Sequence, residues 1–128
     1  MRVNVLMTGL DQDLAAELSR ALAELRYTVV AEPFRSARES IKAIDRAAAN
    51  LVFCAAEPSA YEPLLNGLRE MGRLVPVVVV SRLPEVDDWL DAMEAGAADY
   101  CAAPFEPRLI RSIVHNAVRY PRSLAAAC

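Results

Sequence analysis

The run PVVVVS, residues 76–81, is the stretch on which the fold turns. Four consecutive valines stand between a proline and a serine. A strand with one face in water alternates apolar and polar residues. A run that is apolar at every position predicts a strand covered on both faces, as in the middle of a parallel sheet. Parallel neighbours cannot be joined by a tight hairpin and need a crossover, usually a helix. The rest of the chain is therefore expected to alternate strands with helices.

Working outward, NLVFCA at 50–55 predicts a strand before the valine run, and DYC at 99–101 a short one after it. VNVLMT at 3–8 and YTVVA at 27–31 predict two more, the first ending at Gly9. Helical stripes fill the gaps. Leu14, Leu18, Leu22 and Leu25 line the first, and Ala37, Ile41, Ile44 and Ala48 the second. Tyr61, Leu64, Leu65, Leu68 and Met71 line the third, with Gly72 as its stop. Val86, Trp89, Leu90 and Met93 line the fourth, closing at Gly96. The last starts near Pro107 and carries Leu109, Ile110, Ile113, Val114 and Ala117, with Pro121 ending it. Asp11 or Asp13 can cap the first helix, and SARE at 36–39 has the capping-box form before the second. Five strands alternating with five helices predict a parallel sheet between two helical layers. Ligands of such sheets sit at the carboxyl ends of the strands. The positions to interrogate are thus 9–13, 54–58, Ser81 with Arg82, and 102–104.

The 128 residues fit one domain, with a small tail at 122–128. The net charge of -3 gives no electrostatic case for nucleic acid. No apolar run approaches the ~20 residues of a membrane-spanning helix. The N-terminal apolar run is too short for a signal peptide, so a cytoplasmic location is expected. Cys54, Cys101 and Cys128 have no metal-ligand spacing and are expected as free thiols. TGLDQD at 8–13 holds one glycine against the three of a dinucleotide fingerprint, which argues against a nucleotide site there.

Three segments together, VPVVVVSR at 75–82, MEAGAADYCAAPF at 93–105 and LIRSIVHNAV at 109–118, resemble the receiver domain of two-component response regulators. The Gly-Ala, Asp-Tyr and Pro-Phe pairs stand at the family's offsets, and the resemblance covers residues 3 to about 120, so that 1–121 reads as one receiver-like domain. It implies a flavodoxin-like, CheY-like α/β fold, a (βα)5 three-layer sandwich with strand order 2-1-3-4-5. It also implies a cis Ala103-Pro104 bond. Receivers hold Mg²⁺ on two acids after the first strand and phosphorylate an aspartate at the end of the third. A Ser or Thr after the fourth strand and a lysine after the fifth contact the phosphoryl group. Both reactants are anionic, so metal and lysine are what let them meet. Here the acid pair falls on Gly9 and Leu10, with Asp11 on a third acidic position. The acceptor falls on Ala55 or on Cys54, depending on the anchor used. The lysine falls on Ala103, and Ser81 is retained. The sole lysine, Lys42, belongs to the second helix. The resemblance thus implies a degenerate receiver, a pseudo-receiver with no Mg²⁺ and no enzymatic step, acting by protein–protein contact.

Other residues have competing readings. Cys54 could anchor a redox response if its pKa were lowered, but free cysteine commonly packs as a small apolar group. Ser81 could be a switch remnant or could satisfy backbone at a strand end. Arg82, after Ser81, could reach inward, but is expected to point to solvent. Trp89 is expected in the core with its stripe, with an interface hot spot as its second reading. Tyr100 reads as a half-buried tyrosine or a marker of a binding face, and the lone His115 as a surface or interface group. In receivers the fourth helix, fifth strand and fifth helix form the usual contact face. A kinase, an output domain or another signalling protein is the implied partner. Asp99 and Arg111 are candidates to pair across a two-fold axis in a homodimer. Two alternatives stand beside this reading: a phosphorelay receiver with a non-standard pocket, and a redox module built on Cys54.

Overall fold

The structure is a computed structural model and describes residues 2–119. Cys128, Pro121 and the tail at 122–128 lie outside the described residues. The elements run β1 (Asn4–Thr8), α1 (Gln12–Glu24), β2 (Thr28–Glu32), α2 (Ala37–Ala47), β3 (Leu51–Ala55), α3 (Pro58–Glu70), β4 (Val77–Ser81), α4 (Val86–Ala95), β5 (Asp99–Ala102) and α5 (Pro107–Arg119). All strand pairs are parallel, and the sheet order is β2-β1-β3-β4-β5.

The valines of β4 are buried, as is every residue of β3, because these strands lie inside the sheet with helices on both faces. Side chains alternate between two apolar clusters. Met7, Phe53, Val78 and Val80 meet Leu18, Leu22, Ile110 and Val114 of α1 and α5. Leu6, Val52, Cys54 and Val79 meet Ile44, Tyr61, Leu64 and Ala92 of α2, α3 and α4. Removing a fully buried leucine such as Leu18 from this packing would cost about 2–5 kcal/mol.

Local signals set the ends of elements. The Asp11 carboxylate accepts the Leu14 N–H at 2.8 Å and opens α1; Ser36 Oγ accepts the Glu39 N–H at 3.1 Å and opens α2. α4 ends at Gly96, whose φ of 110° is left-handed. Arg69 of α3 donates to the Ala95 carbonyl at 3.0 Å, tying that end of α4 down.

Some expectations are corrected. β2 lies one residue later than its apolar run, at the sheet edge, and is half exposed. Ala48 is the left-handed cap of α2 and not part of its buried stripe. Met71 and Leu109 are exposed. Trp89 is not core: it is 44% exposed, together with Val86 and Leu90. The buried side of α4 turns on Ala92, and the larger apolar residues face outward.

Candidate functional site

The carboxyl ends of β1, β3 and β4 border a crevice of about 250 Å³, lined by Gly9, Leu10, Asp11, Ala55, Ser81 and Arg82 among others. Beside it a second hollow, about 380 Å³, shares Gly9, Leu10 and Ala55 and is walled by Pro33 and Phe34. The register explains the placement. Thr8 pairs with Cys54, so Ala55 stands one step beyond that pair at the end of β3. Cys54 is fully buried and packs in the α2–α4 cluster, so Ala55 faces the crevice where Cys54 does not. Ala103 packs toward the α1–α5 cluster, and its N–H bonds the Ser81 carbonyl at 3.1 Å.

Two charged groups at the crevice, Asp11 and Arg82, are engaged with each other. Arg82 Nη2 lies 2.7 Å from Asp11 Oδ1 and 2.8 Å from Oδ2, so Arg82 reaches across the crevice and does not project freely into solvent. The bond from the Leu14 N–H, and then the Arg82 guanidinium, hold the Asp11 carboxyl below its ordinary pKa. Ser81 Oγ donates to the Leu83 carbonyl at 2.8 Å and accepts the Leu83 N–H at 3.2 Å, a local turn that occupies the hydroxyl. Burial, with Glu57 second, pushes the Cys54 thiol up to about 12; burial, with Asp99 second, does the same for Cys101. A thiol so placed is protonated at neutral pH and is a poor nucleophile.

A second group lies at the other edge of the sheet. β5 is the edge strand there, between α4 and α5 in sequence. Asp99 Oδ1 accepts the Tyr100 N–H at 2.8 Å. Tyr100 packs into the α2–α4 cluster, and its Oη is buried with no hydrogen-bond partner among the described residues. Arg111 and His115 are exposed on α5. Leu83 and Val86 are 71% and 70% exposed at the start of α4, beside Trp89 and Leu90. α4 carries Asp87, Asp88, Asp91 and Glu94 and no basic residue, whereas α5 carries Arg108, Arg111 and Arg119 and no acid.

No protein-family model matches the chain, and no curated protein matches it. Solved structures do. A CheY-like protein, tadZ, from Pseudomonas aeruginosa PAO1 superposes with a TM-score of 0.76 at 21% identity, over 97% of this chain and 99% of that one. The fold is that of a response-regulator receiver domain. The receiver domain of NtrX from Brucella abortus gives a TM-score of 0.75 at 20% identity, over 91% of this chain and 98% of that one. A two-component response regulator from Clostridium difficile gives 0.71 at 20% identity, over 93% and 98%. The Ala103-Pro104 peptide is cis.

The receiver fold raises the question of Mg²⁺, and the residues at the crevice do not fit it. Mg²⁺ asks for hard oxygen ligands in octahedral array. Gly9, Leu10 and Ala55 bring no side-chain oxygen, the Asp11 carboxylate is held by Arg82 and the Leu14 N–H, and Glu57 is the one other carboxylate in the lining. Among the described residues no three His, Cys, Asp or Glu side chains converge as a metal site. Among the same residues no helix is long and apolar enough to cross a membrane.

Proposed function

We propose that the chain is a pseudo-receiver: a signal-transduction module that works by protein–protein contact through the face formed by α4, β5 and α5, with no aspartyl-phosphate step and no catalytic residue. One observation carries the reading. At the positions where the resemblance places a receiver's acid pair and acceptor, the crevice presents Gly9, Leu10 and Ala55, with Asp11 tied to Arg82 and Glu57 further out on the loop, while the opening of α4 presents Leu83, Val86, Trp89 and Leu90 to solvent. Exposed apolar residues clustered together, with acids beside them, are a feature of contact surfaces. The acidic α4 and basic α5 suit a partner of mixed charge, and a second copy of this chain meets that description by pairing acid with base under a two-fold axis. A kinase or an output domain is the other partner class. The Cys54 alternative finds no support, because the thiol is buried and its pKa is raised to about 12.

Two measurements test the proposal. Amide NMR spectra should not change when beryllofluoride and Mg²⁺ are added together; a saturable, Mg²⁺-dependent set of shifts at the crevice would overturn it. Sedimentation velocity over a concentration series should show a reversible dimer that Trp89→Ala and Arg111→Glu both weaken. A monomer at all concentrations removes the homodimer and leaves the kinase or output-domain class.

A further inference from the structure

α4 is anchored unequally at its two ends. Ala92 is its one buried residue, against four or five for each of the other helices. At the C-terminal end Arg69 holds the Ala95 carbonyl, and Gly96 closes the helix. At the N-terminal end Glu85 gives no side-chain cap. The loop leading into it is folded locally by the Ser81–Leu83 turn, and Arg82 then reaches across the crevice to Asp11. Asp11 is itself fixed, because the same carboxylate caps α1. The guanidinium therefore bonds to a group that is already positioned, which reduces the ordering cost of the pair.

We propose that the Arg82–Asp11 pair is an intramolecular strap. It holds the loop between β4 and α4 against the N-terminus of α1 and sets how firmly the first turn of α4 is presented. The inference rests on the reading of α4 as a contact face and names a regulator of that face: a charge pair made within the chain, across the crevice at the strand ends. Both side chains are about half exposed, so the strap is weak and reversible. Weakness suits the role, since a contact that only biases a loop can be undone by salt or by a competing ion.

Hydrogen exchange read by mass spectrometry on the full chain tests this without a partner. Asp11→Asn is the informative variant, because asparagine caps a helix as well as aspartate does but carries no charge. Asp11→Asn and Arg82→Gln should each speed exchange over residues 82–90 by about two- to fivefold, the size expected for an exposed ion pair. The double variant should be no faster than either single one. Exchange in α1 should be unchanged in Asp11→Asn. High salt should speed exchange at 82–90 in the parent chain and not in the variants. Unchanged exchange in either single variant overturns the strap, and so do effects that multiply in the double variant. Failure of the contact-face reading is a separate result: no dimer and no partner, with the exchange pattern of the strap intact.

Discussion

Gly9 stands at the mouth of the crevice in a conformation that leaves no easy room for a side chain, and Gly9→Ala tests that directly. The glycine has a φ of +78°, in the left-handed region, and an added Cβ would stand 3.0 Å from Phe34 Cβ and 3.4 Å from Ala55 Cβ. An L-residue in that conformation costs ~1–2 kcal/mol. Stiffening the unfolded chain returns ~0.4–1 kcal/mol of this. Crowding against Phe34 adds ~1–3 kcal/mol, because Phe34 Cβ is attached to backbone and cannot swing aside. The expected loss is therefore about 1–5 kcal/mol in unfolding free energy. Urea denaturation at equilibrium would show it as a lower midpoint with an unchanged slope. A midpoint within error of the parent chain would refute the reasoning. The consequence reaches beyond stability: any side chain here, an aspartate included, would carry the same Cβ into the same crowding.

Tyr100→Phe should stabilise the chain by about 1 kcal/mol, since it deletes a buried hydroxyl that lacks a hydrogen-bond partner; thermal and urea midpoints both check it, and a destabilised variant would show that the hydroxyl is satisfied in solution. Cys54 and Cys101 should resist an aromatic disulfide reagent at neutral pH in the native state and react only on unfolding, as both are buried with thiol pKa values of about 12; rapid native labelling of either would contradict the packing. The same shifts predict alkaline instability. Between the ordinary 9.0 and about 12, the unfolded thiols have lost protons that the folded ones keep, so unfolding free energy falls as pH rises through that window. Denaturation midpoints at pH 8 and pH 10.5 would show the drop, and Cys54→Ala should reduce it.

The alternation of strands and helices was legible because it rests on local period: uninterrupted valines in β4, leucines at helical spacing in α1, a capping serine before α2. What period cannot supply is the direction in which a stripe faces. Val86, Trp89, Leu90 and Met93 have the spacing of a core stripe, yet α4 turns its buried side to Ala92, and three of those four stand in solvent. A helix built to meet a partner and a helix built to meet its own sheet have the same spacing. The crevice was legible in position and ambiguous in detail. Only the pairing of Thr8 with Cys54 decides that Ala55 lines it. The Arg82–Asp11 pair was not legible, because its members are 71 residues apart and meet only once β1 and β4 lie in one sheet. Asp11 as helix cap could be read, since capping is local. Its second bond could not.

The outward-facing Trp89 has a consequence for observation. It is the one tryptophan of the chain, so intrinsic fluorescence excited at the indole band comes from a single site. That site lies on the α4 surface proposed as the contact face, half in water. Docking against it would shift the emission to the blue and shield the ring from a soluble quencher. The chain carries its own optical reporter at the place where its occupancy is in question, and a binding titration on that surface needs no dye, tag or label.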